Sequence, residues 1–128
     1  MKITARLYEN IIREHLGMYR QMVFLSGPRQ VGKTTLVQHV TASRKTVFLN
    51  FDIPFDLARF KAAAVLPPVE GLKTLGSPDC LVLDEAQREP EAARIVKGWY
   101  DAHLPVKIVL LSDIFRIEST QLLYPGFL

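Results

Sequence analysis

Gly27-Pro28-Arg29-Gln30-Val31-Gly32-Lys33-Thr34 sets two glycines, a lysine and a hydroxyl in the spacing G-x-x-x-x-G-K-[ST], and each residue type has a task at a phosphate group. Gly27 and Gly32 can take backbone angles closed to other residues, so the main chain can curl around an anion with its N–H groups turned inward. Lys33 adds a mobile positive charge for the terminal phosphates, and Thr34 offers a hydroxyl to Mg²⁺. The positive dipole end of the helix-like segment that follows faces the same ligand, and Thr35 is counted with the residues that bind it. Pro28, Arg29, Gln30 and Val31 complete the segment expected to line the phosphates. The competing interpretation is a glycine turn that caps a helix beside a solvated lysine. The flanks favour phosphate binding: Met22-Val23-Phe24-Leu25-Ser26 is an apolar run of the buried-strand type, and Leu36, Val37 and Val40 recur at helical spacing.

A second chemical pair stands further along. Asp79-Cys80-Leu81-Val82-Leu83-Asp84-Glu85 is an apolar strand that ends in two adjacent acids. An acid at the tip of a buried strand can take a Mg²⁺ coordination position through water, and its neighbour can orient and deprotonate an attacking water. Asp84 receives the metal role and Glu85 the general-base role, with Lys33 as the charge on the phosphates. By itself such a pair is more simply a soluble strand end. Beside the phosphate loop it completes one site for hydrolysis of a nucleoside triphosphate.

Elements must carry these two halves to one place, and the chain alternates accordingly. Residues 4–21 predict an amphipathic helix, with Leu7, Ile11, Ile12, Leu16 and Tyr19 on one side. The phosphate-loop strand and a helix over residues 33–42 follow, then a strand over residues 46–51 rich in β-formers. A helix over 55–65 leads to Pro67-Pro68, and residues 71–78 read as a turn-rich loop. After Glu85, Pro90 is placed in the first turn of a helix whose buried face is Ala92, Ile95, Val96 and Trp99. Residues 106–111 form a last apolar strand. Near-continuous apolar strands alternating with helices predict a three-layer α/β fold with a parallel sheet.

At 128 residues the chain is one domain. Its divisions are an N-terminal helix over 1–22 packed on the core, a phosphate-loop core over 23–112 and a C-terminal tail over 113–128. The single cysteine, Cys80, excludes a disulfide framework and a metal–thiolate cluster, as expected in a reducing cytoplasm. Charges interleaved through the N-terminal stretch exclude a signal-peptide core, and no apolar run has the length of a membrane span. The net charge of +3 is scattered rather than striped, so nucleic-acid contact is left open without a patch to carry it. His15, His39 and His103 lie near no Cys/His ligand spacing, and no structural metal is assigned.

Three stretches together, residues 27–36, Leu49-Asn50-Phe51-Asp52 and Leu83-Asp84-Glu85-Ala86-Gln87-Arg88-Glu89-Pro90, resemble the AAA-type ATPase domain of a large group of prokaryotic ATP-binding proteins. The similarity covers roughly residues 6–112. It implies ATP and Mg²⁺ as ligands and the sheet order of additional-strand, AAA/RecA-like P-loop ATPases, with the strand after the acidic motif inserted beside the phosphate-loop strand. It also implies a γ-phosphate sensor at the tip of that strand. Ser112 is the candidate, with Asp113 beside it, where the family usually has a small Gly-Ser cluster. Asn50 matches the position of a polar switch residue that restrains the catalytic glutamate, and equally suits a strand-ending turn.

Proteins of this group usually continue through a fifth strand, a lid and a C-terminal region with a nuclease-like fold. Residues 113–128 are therefore expected to be a truncated remainder, which would leave the strand over 23–26 at a sheet edge and favour self-association or docking on a protein partner. No clear arginine finger can be placed: Arg88, Arg94 and Arg116 qualify by residue type alone, and a finger often comes from a neighbouring subunit. Two functions follow: an ATPase that couples hydrolysis to conformational change, or a nucleotide-binding interaction module with little turnover. A P-loop kinase is disfavoured, because adjacent Asp84 and Glu85 suit activation of water better than delivery to an acceptor.

Overall fold

A computed structural model describes residues 22–26, 37–39, 41–42, 44–112 and 122–123. Five strands form one sheet: β1 (Met22–Ser26), β2 (Thr46–Asn50), β3 (Cys80–Asp84), β4 (Lys107–Ser112) and β5 (Leu122–Leu123). Their spatial order is β2-β3-β4-β1-β5. The first four strands run parallel, so β4 sits between the acid-bearing strand and β1, as the sequence resemblance implies. β5 pairs antiparallel with β1, Phe24 opposite Leu123 and Leu25 opposite Leu122. The expectation that β1 forms a sheet edge is thereby corrected: residues 122–123 supply its outer partner. The phosphate-loop segment and the N-terminal helix lie outside the described residues.

β3, and β4 from Ile108 onward, are buried on both faces, as central strands apolar on both sides require. On one face Leu49, Leu81, Leu83, Ile108 and Leu110 pack beneath three helices, α1 (Pro54–Ala64), α2 (Pro68–Thr74) and α3 (Ala92–Asp101). Phe60 of α1 links the layer, its ring 5.1 Å from Phe51 and 5.9 Å from Trp99 of α3. Trp99 is thus a core residue, as its helical spacing indicates. The alternate residues Cys80, Val82, Val109 and Leu111 are fully buried on the other face, and so is Val37 in the helical segment 37–39.

Two local departures from the sequence reading have clear causes. Residues 71–74 belong to α2, where a turn-rich loop over 71–78 was expected. Pro68 provides the preset φ of a first helical residue, and Gly71 marks a close approach between helices. A β-carbon there would stand 2.4 Å from the Ala63 carbonyl oxygen. The actual break comes at Gly76, whose φ of 95° lets its N–H reach Lys73 O while Ser77 N–H reaches Leu72 O. Pro90, in turn, precedes α3. It is the second residue of a turn closed by Ala92 N–H donating to Glu89 O.

Candidate functional site

The parallel register brings four strand ends to one edge of the sheet. Asn50 pairs with Asp84 across β2 and β3, and Ser112 pairs with Ser26 across β4 and β1. Gly27 follows Ser26 directly, so the phosphate-loop segment starts beside Ser112 at the edge that carries Asp84. In open parallel sheets, ligands bind outside the carboxyl ends of the strands. Gly27, Pro28, Arg29, Gln30, Val31, Gly32, Lys33, Thr34 and Thr35 themselves lie outside the described residues, as do Asp113 and Arg116.

Asp84 is 7% exposed, Glu85 8% and Ser112 1%. Two carboxylates held this deep are costly unless polar groups or a cation compensate them. Part of that compensation is internal. Asp84 Oδ1 accepts the Glu85 N–H at 2.8 Å, and the Asp84 carbonyl accepts the Phe51 N–H at 3.0 Å, tying the tip of β3 to the exit of β2. Hard oxygen donors at the carboxyl edge of a sheet also suit Mg²⁺. The Asp84 carboxylate is a donor of that type, although the described residues hold no cluster of three or more such ligands.

Glu85 leaves the strand in the left-handed region, φ 53° and ψ 45°. A single 3₁₀ turn, Ala86–Arg88, then folds back so that Arg88 N–H donates to Glu85 O. Gln87 Nε2 donates to Glu85 Oε1 at 2.8 Å. Alongside, Asn50 ends β2 in a tight turn, its Oδ1 accepting the Asp52 N–H at 2.8 Å. The Asn50 N–H donates to Asp56 Oδ2 at 3.0 Å, fixing the start of α1. This geometry is that of the strand-ending turn residue. Arg88 Nε reaches Asp52 Oδ1 at 2.7 Å, so the turn after β2 and the turn after β3 are joined by an ion pair at the surface. Arg94, on α3, is paired with Glu91.

Gln87 and Asp56 carry no role in the sequence reading, and Asp52 figures there only at the end of a strand and in a quoted motif. Gln87 stands in the quoted Asp84-Glu85-Ala86-Gln87 stretch, but only the left-handed turn at Glu85 brings the two side chains together.

A family model described as AAA domain matches residues 19–115, a span that contains the phosphate loop, the acid pair and the tip of β4. The chain belongs to this AAA-domain family. Membership supports a P-loop ATPase-type function, and the fold agrees. The AAA domain is similar to the crystal structure of a DNA replication initiation factor, with a TM-score of 0.61 and 22% sequence identity. The match covers 91% of this chain and 40% of that one, so the AAA domain spans less than half the length of that neighbour. At this identity the likeness concerns fold, and nothing of a replication role is carried over. No curated protein matches the AAA domain significantly. Among the described residues no helix is long and apolar enough to cross a membrane.

Proposed function

We propose that this AAA domain binds MgATP along the carboxyl edge of its sheet and hydrolyses it, with the two chemical states coupled to a change in conformation. The observation that carries this reading is the convergence of strand ends: the buried Asp84–Glu85 pair, Ser112 and Ser26, which precedes the phosphate-loop motif in sequence, share one edge. In the proposal residues 27–35 enclose the phosphates, Lys33 holds their charge, and Thr34 and Asp84 hold Mg²⁺. When bound, Mg²⁺ neutralises charge that develops on the phosphate oxygens. Glu85 orients and deprotonates water, and Ser112 faces the terminal phosphate as sensor.

Turnover by the isolated chain is expected to be slow, below about one per minute by comparison with unassisted P-loop hydrolysis. An arginine finger contributes about 10³ to 10⁵ in rate, and both described candidates, Arg88 and Arg94, are engaged with carboxylates. The second reading is an interaction module that binds nucleotide and scarcely turns it over.

The test compares ATP retention with phosphate release. Glu85→Gln keeps shape and loses the base, so it should hold ATP and abolish release. Asp84→Asn should chiefly weaken the Mg²⁺ dependence. Release by Glu85→Gln at the wild-type rate would remove Glu85 from the mechanism. Binding without release in the wild type would select the interaction module.

A further inference from the structure

We propose that Gln87 is the positioning residue of the catalytic base, holding the Glu85 carboxylate in its working orientation; this rests on the assignment of Glu85 proposed above. The contact itself is Gln87 Nε2 donating to Glu85 Oε1 at 2.8 Å. Three features make it more than an incidental surface bond.

Glu85 is fastened at both ends. Its N–H is held by Asp84 Oδ1 at 2.8 Å, and its carboxylate is held by Gln87. The left-handed backbone at Glu85 and the 3₁₀ turn closed by Arg88 N–H on Glu85 O create this proximity, since a continued strand would carry residue 87 away from residue 85. Gln87 is also turned inward, its Oε1 buried beside a cleft of about 180 Å³ bordered by Ala86, Gln87, Pro90, Ala93 and Leu110.

The chemistry suits the task. A carboxamide N–H fixes the direction of a carboxylate without accepting its proton and without adding a second negative charge.

The experiment uses the full chain with Gln87→Met, which keeps length and loses the donor, and Gln87→Asn, which keeps the donor and cannot reach. Both should lower kcat about tenfold to a hundredfold, the scale of a misplaced catalytic group, while ATP affinity and melting temperature stay at wild-type values. In a Glu85→Gln background Gln87→Met should cause no further loss. Independently of turnover, the Gln87 side-chain amide resonances should move on Glu85→Ala while those of Gln38 do not. Wild-type kcat in Gln87→Met, when Glu85→Gln is inactive, overturns the positioning role alone. Wild-type kcat in Glu85→Gln overturns the base assignment. A wild-type chain without measurable hydrolysis removes both, and unmoved amide resonances show that the bond is not made in solution.

Discussion

Glu85 is a non-glycine residue at φ 53°, a conformation that costs an L-residue about 1–2 kcal/mol because its β-carbon crowds the following carbonyl. Such a cost at the end of a buried strand is consistent with a side chain aimed for chemistry rather than for packing. It yields a prediction that isolates the backbone: Glu85→Gly should be more stable than Glu85→Ala by about 1 kcal/mol, the reverse of their order in a helix or strand. Chemical denaturation of the two variants measures it, and equal midpoints would mean that the left-handed turn relaxes without cost. Legibility at this scale was uneven. Asp84 and Glu85 could be found because two acids after four apolar residues contradict simple burial. Gln87 could not, because its partner is set by a backbone reversal at a residue type that rarely makes one. Asn50 had two readings in sequence, and the turn geometry matches one of them.

The helices show how glycine and proline carry opposite meanings at different places. Gly71 and Pro67-Pro68 suggest a loop, yet α2 forms there, because proline starts a helix as readily as it stops one and Gly71 lets α2 lie against α1. Replacing a helical glycine by alanine ordinarily stabilises by up to about 1 kcal/mol. Gly71→Ala should instead destabilise, by about 1–3 kcal/mol, since its methyl would meet the Ala63 main chain, which cannot yield as a side chain does. Gly98, on α3, has nothing within 4 Å of an added β-carbon, so Gly98→Ala should follow the ordinary rule and stabilise. Thermal melts of the two single variants should therefore shift in opposite directions. A rise for both would show that α1 and α2 are not packed as described. The surface pair Arg88–Asp52 belongs to the same scale. Its partners are 60% and 37% exposed, so a double-mutant cycle should give less than about 1 kcal/mol.

For the molecule as a whole, the strand order was legible through the resemblance to AAA-type ATPase domains, and the buried apolar run from Ile108 to Leu111 agrees with a central place in the sheet. The role of residues 122–123 was not, because two leucines carry too little pattern to declare a strand or its direction. Their pairing with β1 withdraws the open-edge argument for self-association. What the sheet offers instead is an internal reporter. Cys80, the chain's one cysteine, lies on β3 between β2 and β4 and is fully buried.

Burial pushes the Cys80 thiol up to about 11 from 9.0, against the lowering pull of Arg44 and Lys107 and with a smaller push from Asp79. Because the folded value is the higher one, this contribution to stability is complete below pH 9 and is lost as pH rises through about 11. Cys80→Ala should therefore flatten part of the alkaline decline in stability. At neutral pH the native thiol is both protonated and enclosed, so a thiol reagent reaches it only when the central strands separate. Its labelling rate then follows the population of the opened state. MgATP at 100 times its dissociation constant lowers that population about a hundredfold. Labelling of the wild type should slow by that factor under saturating MgATP, while Lys33→Ala, which removes the charge proposed to hold the phosphates, should label at the same rate with and without nucleotide. Equal protection of both proteins would place the nucleotide away from residues 27–34. Fast labelling of the ligand-free wild type, at the rate of an unfolded thiol, would show that β3 is not enclosed as described.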